Sequence, residues 1–237
     1  MAAEEPRRAP WYVRIIRGSF YRGRFGLVVC VGKTSELLGW LIDVVLGVDT
    51  GGFVEARELG LSTPDAHGFA PSSWFTLRRI LAPDEVTPDD VFLDVGAGKG
   101  RIVLSAALGY RFHRVAGIEL SPELAEVARR NLDRIRSPLR AVQVSIVQGD
   151  ATVIPLADDV TVIYAYDPFE GELFAELLTH IFASLERRPR RLRLIYRRPL
   201  LEADLLRTGR VRLVRRIRGR LFRWDTDWPG LALFEIT

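Results

Sequence analysis

The sequence predicts an α/β fold: a doubly wound, mostly parallel seven-stranded sheet with an antiparallel C-terminal edge strand, preceded by a helical N-terminal cap. Three observations predict it. From Val91 onward, short apolar runs alternate with segments of helical period, the signature of repeated βα units. The last two apolar runs, Val211 to Ile217 and Leu231 to Ile236, lie close in sequence, which suggests an antiparallel pair. Upstream of residue 90 the texture is different, with helical pieces broken by Gly and Pro clusters at Asp49 to Gly52 and Ser62 to Pro71. The 237 residues are then divided as a cap or lid over 1–88 and a core over 89–237.

Taken in order, the stretch from Leu27 to Val48 is long enough to span a bilayer but contains Lys33, Glu36 and Asp43. At 100° per residue these three fall within roughly 80° of one another, while Leu27, Val31, Leu38, Ile42 and Val45 face elsewhere. The pattern describes an amphipathic helix laid against a domain, with peripheral membrane contact as the minor alternative. The apolar run from Phe25 to Gly32 is cut short by Lys33 without a convincing cleavage site, so no signal peptide is expected. A helix is expected from Ser72 to about Leu81, then Pro83 and Pro88 punctuate the entry to the core. Val91 to Val95 reads as a buried strand, followed by a glycine turn and a helix from Arg101 to about Leu108. Arg114 to Ile118 is the second strand. Ser121 then caps a helix, with Pro122 at its first position and Glu123 in its first turn. Strands follow at Val142 to Val147 and Val160 to Tyr166, a helix from Gly171 to about Leu185, a strand at Leu192 to Tyr196, and a short helix from Leu200 to Arg207.

A hydrophobic fraction of 48% with 27% charged residues excludes a disordered, collagen-like or low-complexity chain. The single cysteine, Cys30, excludes an intrachain disulfide and a multi-cysteine metal site, and it fits a reducing, cytoplasmic setting. The net charge of +4 conceals a strong polarity. Residues 187–223 carry fifteen Arg against two acids, and residues 1–24 carry six Arg against two, so the middle of the chain is acidic. Basic ends could steer anionic partners, nucleic acid and lipid headgroups among them. The plainer alternative is a solvated arginine-rich face, and the alternation at Arg212 and Arg216 is that of a strand, with no recognised nucleic-acid motif.

The most informative stretch is Val91-Phe-Leu-Asp-Val-Gly-Ala-Gly-Lys-Gly-Arg101. Gly96, Gly98 and Gly100 allow a tight turn and close approach of backbone to a ligand between a strand and a helix. Nineteen residues beyond Gly100 stands Glu119, a carboxylate able to accept hydrogen bonds from both hydroxyls of a ribose. A dinucleotide site would want its third glycine one place later, and Asp94 would face pyrophosphate unfavourably. Asp94 suits a ligand that carries an ammonium group.

Asp-x-Gly-x-Gly-x-Gly followed by a ribose-binding acid resembles motif I of the class I S-adenosylmethionine (SAM) methyltransferases. Gln148-Gly-Asp-Ala151 and Tyr164-Ala-Tyr-Asp-Pro-Phe169 close the third and fourth strands, where that family places an acid near the adenine and a substrate-facing motif. Asp90 to Arg101, with Gly117-Ile-Glu-Leu-Ser-Pro122, resembles the subgroup that includes the non-SET histone-lysine methyltransferases and many bacterial relatives; Gly47 to Gly52 and His67 to Ser72 are similar to segments preceding their core. Asp167-Pro-Phe departs from the Asp/Asn-Pro-Pro-aromatic motif of amino-group DNA methyltransferases in lacking the second proline, which speaks against nucleobase methylation.

The resemblance implies SAM as cofactor, S-adenosylhomocysteine as product, and binding residues Asp94, Gly96, Ala97, Gly98, Gly100, Glu119, Leu120, Asp150, Ala151 and Asp167. It implies methyl transfer to nitrogen or oxygen of a small molecule or peptide. Protein-lysine methylation is the alternative enzyme, and a basic nucleic-acid- or membrane-binding module with a vestigial SAM site is the third reading. Asp167 is the leading candidate for orienting the acceptor, with Tyr166 and Phe169 lining its pocket. The segment before the core is expected to bring Phe69, Ser72, Ser73 and Trp74 near the methionine end. His67 is a weaker base candidate, and His113 and His180 read as solvent-facing. Asp158-Asp159 is a loop pair without a clear partner, so no metal is expected.

Overall fold

The structure, a computed structural model, describes residues 37–59, 68–166, 171–217 and 230–237. Cys30, Lys33, Glu36, His67, Asp167 and Phe169 lie outside the described residues. Gly39–Thr237 form one compact unit. The described elements are helical residues 37–46 (α1), then α2 (Thr76–Ile80), β1 (Val91–Val95), α3 (Arg101–Gly109), β2 (Arg114–Glu119), α4 (Pro122–Arg134), β3 (Gln143–Gln148), β4 (Val162–Tyr166), α5 (Gly171–Arg187), β5 (Leu192–Arg197), α6 (Glu202–Arg207), β6 (Val211–Ile217) and β7 (Leu231–Ile236).

All seven strands join one sheet in the order β3-β2-β1-β4-β5-β7-β6. The first five run parallel. The antiparallel pairing expected near the C-terminus is present, with β7 seated between β5 and β6 and antiparallel to both. β6 is therefore the outermost strand on that side.

The central strand β1 is buried along its whole length, as a strand covered on both faces must be. Val91, Leu93 and Val95 pack on one side with Phe174, Leu177, Ile181 and Leu185 of α5. Phe92 faces the other side with Ile102, Val103, Ala106 and Ala107 of α3 and with Leu77 and Ile80 of α2. These two apolar layers make the sheet doubly wound. The order reverses between β1 and β4, and ligands of open α/β sheets bind beyond the carboxyl ends of strands at such a switch point.

Two local expectations change. The helix expected from Ser72 starts only at Thr76. Ser72 is already committed to α3 and β4: its carbonyl accepts Arg101 Nη1 at 3.1 Å and its hydroxyl bonds the Tyr164 hydroxyl at 2.7 Å. In α1 the amphipathic reading fails at three described positions, while Ile42 packs inward as expected. Asp43 is buried, 5% exposed, whereas Val45 is 71% exposed and Leu38 is exposed as well. A third apolar cluster of Leu46, Trp74 and Leu104 surrounds the inward face of α1, with Ile42, Leu132 and Ile135 against it.

Candidate cofactor and acceptor site

The glycine turn leaves β1 with three left-handed residues, Gly96 (φ 74°), Gly98 (φ 56°) and Gly100 (φ 85°). Gly96 and Ala97 both donate their N–H to the Ile118 carbonyl at 2.9 Å, which pins the turn against β2. A Cβ on Gly98 would stand 2.4 Å from Phe69 Cε2, so the Phe69 ring rests directly on this backbone. Gly100 serves close packing: its Cβ would meet the Ala128 Cβ of α4 at 3.2 Å.

Glu119 ends β2 beside this turn. Its carboxylate accepts the Gly98 N–H at 2.6 Å and the Ser121 N–H at 2.8 Å. Ser121 also caps α4, accepting Leu124 N–H at 3.3 Å, as its position before Pro122 leads one to expect. A carboxylate offers about four lone-pair sites, so these backbone amides leave acceptor capacity for a ligand. Burial raises the Glu119 pKa, opposed by the hydrogen bonds from the Ser121, Gly98 and Leu120 amides. Asp94, on the neighbouring strand β1, is fully enclosed and its pKa lies well above the usual range, because of burial first and the nearby Glu119 second. Neither acid forms an ion pair with a described residue. Two enclosed carboxylates without a protein cation favour a cationic ligand.

Leu120 is exposed just beyond Glu119, and its carbonyl accepts Gln148 Nε2 at 3.3 Å. Asp150 accepts Thr152 N–H and Oγ1–H at 2.8 and 2.7 Å, which orders the loop after β3 and leaves Ala151 buried. Asp94, Gly96, Ala97, Gly98, Gly100, Glu119, Leu120, Asp150 and Ala151 thus lie at the carboxyl ends of β1, β2 and β3 or in the loops that follow them. Tyr166 ends β4, half-buried.

Of the cap residues, Phe69 and Ser72 reach the glycine turn and β4, whereas Trp74 belongs to the apolar cluster behind α3 and Ser73 bonds only locally, accepting Phe75 N–H at 3.3 Å. Sequence reasoning missed what fastens this segment. Asp43 accepts Thr50 N–H at 2.9 Å, Thr50 Oγ1–H at 2.8 Å, Trp74 Nε1–H at 2.8 Å and Arg101 Nη2–H at 3.3 Å. Arg101 also donates Nε–H to Thr50 Oγ1 at 2.7 Å. Burial lowers the Arg101 pKa and Asp43 acts in the other direction. Lys99 reaches Asp49 at 3.2 Å and the Gly51 carbonyl at 2.9 Å, and Asn131 of α4 bonds both Asp49 and Lys99 main chains. The variable positions of the glycine motif therefore hold residues 43–51 against the turn. A lone acid among the apolar residues of α1 was the available signal.

The remaining candidates fall elsewhere. Asp158 and Asp159 do have partners, Arg187 at 2.7 Å and Arg114 at 2.6 Å. His113 is exposed at the start of β2, whereas His180 is half-buried on α5 with Nδ1 enclosed. No helix among the described residues is long and apolar enough to cross a membrane.

Residues 92–188 match the family model described as "Methyltransferase domain". A protein-lysine N-methyltransferase of Saccharolobus islandicus is 29% identical over 94 residues, 40% of this chain and 56% of that protein. Ribosomal RNA small subunit methyltransferase A of Rhodococcus erythropolis is 34% identical over 113 residues, 46% of this chain and 36% of that protein. Among solved structures, an RNA methyltransferase from Salinibacter ruber in complex with S-adenosyl-L-homocysteine aligns with TM-score 0.47 and 24% identity, covering 71% of this chain and 93% of that one. The chain spans between about a third and just over half of the length of these two curated relatives.

Proposed function

We infer that this chain, whose residues 92–188 match the methyltransferase-domain model, is a class I SAM-dependent methyltransferase that binds SAM beyond the carboxyl ends of β1, β2 and β3 and methylates a nitrogen or oxygen nucleophile on a small molecule or peptide. One observation carries the cofactor reading: Asp94 and Glu119 are buried side by side under a left-handed glycine turn, with no described cation to answer them. That donor set fits a ligand bearing ribose hydroxyls and an ammonium group and disfavours pyrophosphate. Glu119, oriented by the Gly98 and Ser121 amides, would hold the ribose, Asp94 would face the cationic end, and Asp150 and Leu120 would border the adenine. When bound, SAM supplies an electrophilic methyl group whose bonding electron pair stays on sulfur as the acceptor's lone pair takes the carbon.

The chain's own contribution is orientation and exclusion of water. Phe69 over Gly98 and the Asp43–Arg101 contact would close the methionine side. Tyr166, with Asp167 and Phe169 following it in sequence, would form the acceptor side, Asp167 orienting the nucleophile and taking its proton. The lysine methyltransferase relative from Saccharolobus islandicus favours protein lysine as the second reading. Against a nucleic-acid-binding module, the arginines of β6 are matched by acids: Arg212 with Glu235, Arg215 with Glu85, and Arg216 with Glu202.

Calorimetry with SAM, S-adenosylhomocysteine and NADH tests this reading. Wild type is expected to bind the first two and not the third, and Glu119→Ala to lose at least tenfold in affinity, since a hydrogen bond to a charged group contributes about 1.5–3 kcal/mol. A folded wild type that ignores SAM would falsify it.

A further inference from the structure

Arg197 differs from most of the arginines that surround it in the C-terminal strands. Arg187, Arg191, Arg193, Arg207, Arg210 and Arg212 each lie against a carboxylate. Arg197 has no carboxylate partner among the described residues, and its Nη1 is buried without a hydrogen-bond partner. A buried guanidinium nitrogen left unpaired costs free energy unless a ligand answers it.

Its position is that of a ligand-facing group. Arg197 is the last residue of β5, in register with Tyr166, the last residue of β4. The guanidinium carbon lies 4.0 Å from the centre of the Tyr166 ring, so one face is stacked on the aromatic, and the group also lies by the Tyr164 hydroxyl. Tyr164, on the same side of β4, bonds Ser72 at 2.7 Å, and β4 in turn pairs with β1 at Val95↔Ala165, next to the glycine turn. The strand end is also set rigidly. Arg198 is the one non-glycine residue with positive φ among those described, at 52°. Its N–H donates to the Gly230 carbonyl at 2.9 Å, and its carbonyl accepts Leu200 N–H at 2.7 Å. Such a backbone persists when its surroundings dictate it, and it turns the chain sharply just after Arg197.

We propose that Arg197 is a specificity residue that binds an oxyanion, carboxylate or phosphate, carried by a small-molecule methyl acceptor. The planar fork of a guanidinium matches both groups in two parallel hydrogen bonds. This inference rests on the methyltransferase reading and narrows it to an acidic acceptor; a cationic lysine side chain would meet like charge at this strand end.

The test uses the full chain saturated with S-adenosylhomocysteine and titrated calorimetrically with benzoate and phenyl phosphate, with benzyl alcohol and benzylamine as neutral and cationic counterparts. At least one anion is expected to bind wild type, and neither counterpart. Arg197→Met should weaken the anion at least tenfold, and Arg197→Lys should keep part of the affinity because it retains charge without the fork. S-adenosylhomocysteine affinity should stay within about twofold in both variants, which a merely structural role for Arg197 would not allow. Failure of both anions to bind the loaded wild type, equal anion binding by Arg197→Met, or preference for benzylamine overturns the proposal while leaving the cofactor reading intact. Failure of folded wild type to bind S-adenosylhomocysteine overturns both.

Discussion

The junction between residues 43–51 and the glycine turn, and the β6–β7 edge, both use arginine–carboxylate contacts, yet the two differ in what those contacts hold. At the junction, Asp43 and Arg101 are both largely withdrawn from solvent, and Asp43 also satisfies Thr50 and Trp74. At the edge, Arg212 and Glu235 meet with the arginine largely in water. Desolvation is the difference: removing one partner of a buried pair strands a charge, whereas an exposed partner is simply rehydrated. Contact distance alone would have ranked the two the other way, at 3.3 Å for the junction and 3.1 Å for the edge.

The largest effect is expected from Asp43→Ala. It strands the Arg101 guanidinium and the Trp74 Nε1–H, and urea denaturation should show a loss of about 3–5 kcal/mol. Arg101→Met with Asp43→Leu should recover much of that loss, since an apolar pair carries no stranded charge; no recovery would mean the hydrogen bonds to Thr50 and Trp74 dominate. Next is Gly98→Ala, which puts a Cβ into the Phe69 ring at a left-handed backbone position. The strain should cost about 1–3 kcal/mol. Adding Phe69→Ala should return the steric part and leave the φ part, which a double-mutant cycle in thermal denaturation separates.

The third prediction concerns pH. Asp94 and Glu119 are raised above their ordinary 3.8 and 4.5, so the folded chain holds these protons after the unfolded chain has released its own. The cofactor-free protein should therefore lose stability as pH rises from about 4 through the raised values, then level off. Asp94→Asn should be more stable than wild type at pH 7, show no gain near pH 3.5, and bind SAM poorly. An Asp94→Asn stability curve parallel to wild type across that range would remove Asp94 from the account. The smallest effect is expected at the edge: Arg212→Ala should change stability by less than about 0.5–1 kcal/mol, and less still in 1 M salt.

Much of the core was legible because its signals are local. Ser121 before Pro122, the glycine triplet after an apolar run, and Glu119 at the end of the next strand are set by neighbours a few residues away, and each is found where the pattern places it. The burial of Asp43 in α1 was not legible. A helical wheel places Asp43 with Lys33 and Glu36 and therefore outside, but Asp43 is drawn inward by Arg101, a partner 58 positions away. Likewise the fifteen arginines of residues 187–223 read as a field that could attract an anion. Several of them are matched from afar, Arg215 by Glu85 across 130 positions and Arg193 by Asp90 across 103.

From the amino-acid order alone came the βα alternation, the glycine turn after β1, and the two acids, Asp94 and Glu119, that stand beside it. Periodicity and capping suffice for these, because they depend on spacing along the chain. The position of β7 inside β6, the burial of Asp43 against Arg101, and the stacking of Arg197 on Tyr166 depend on which distant side chains meet when the sheet closes. Charge on a residue is written in the sequence; whether that charge is spent on a neighbour or left for a ligand is a matter of packing.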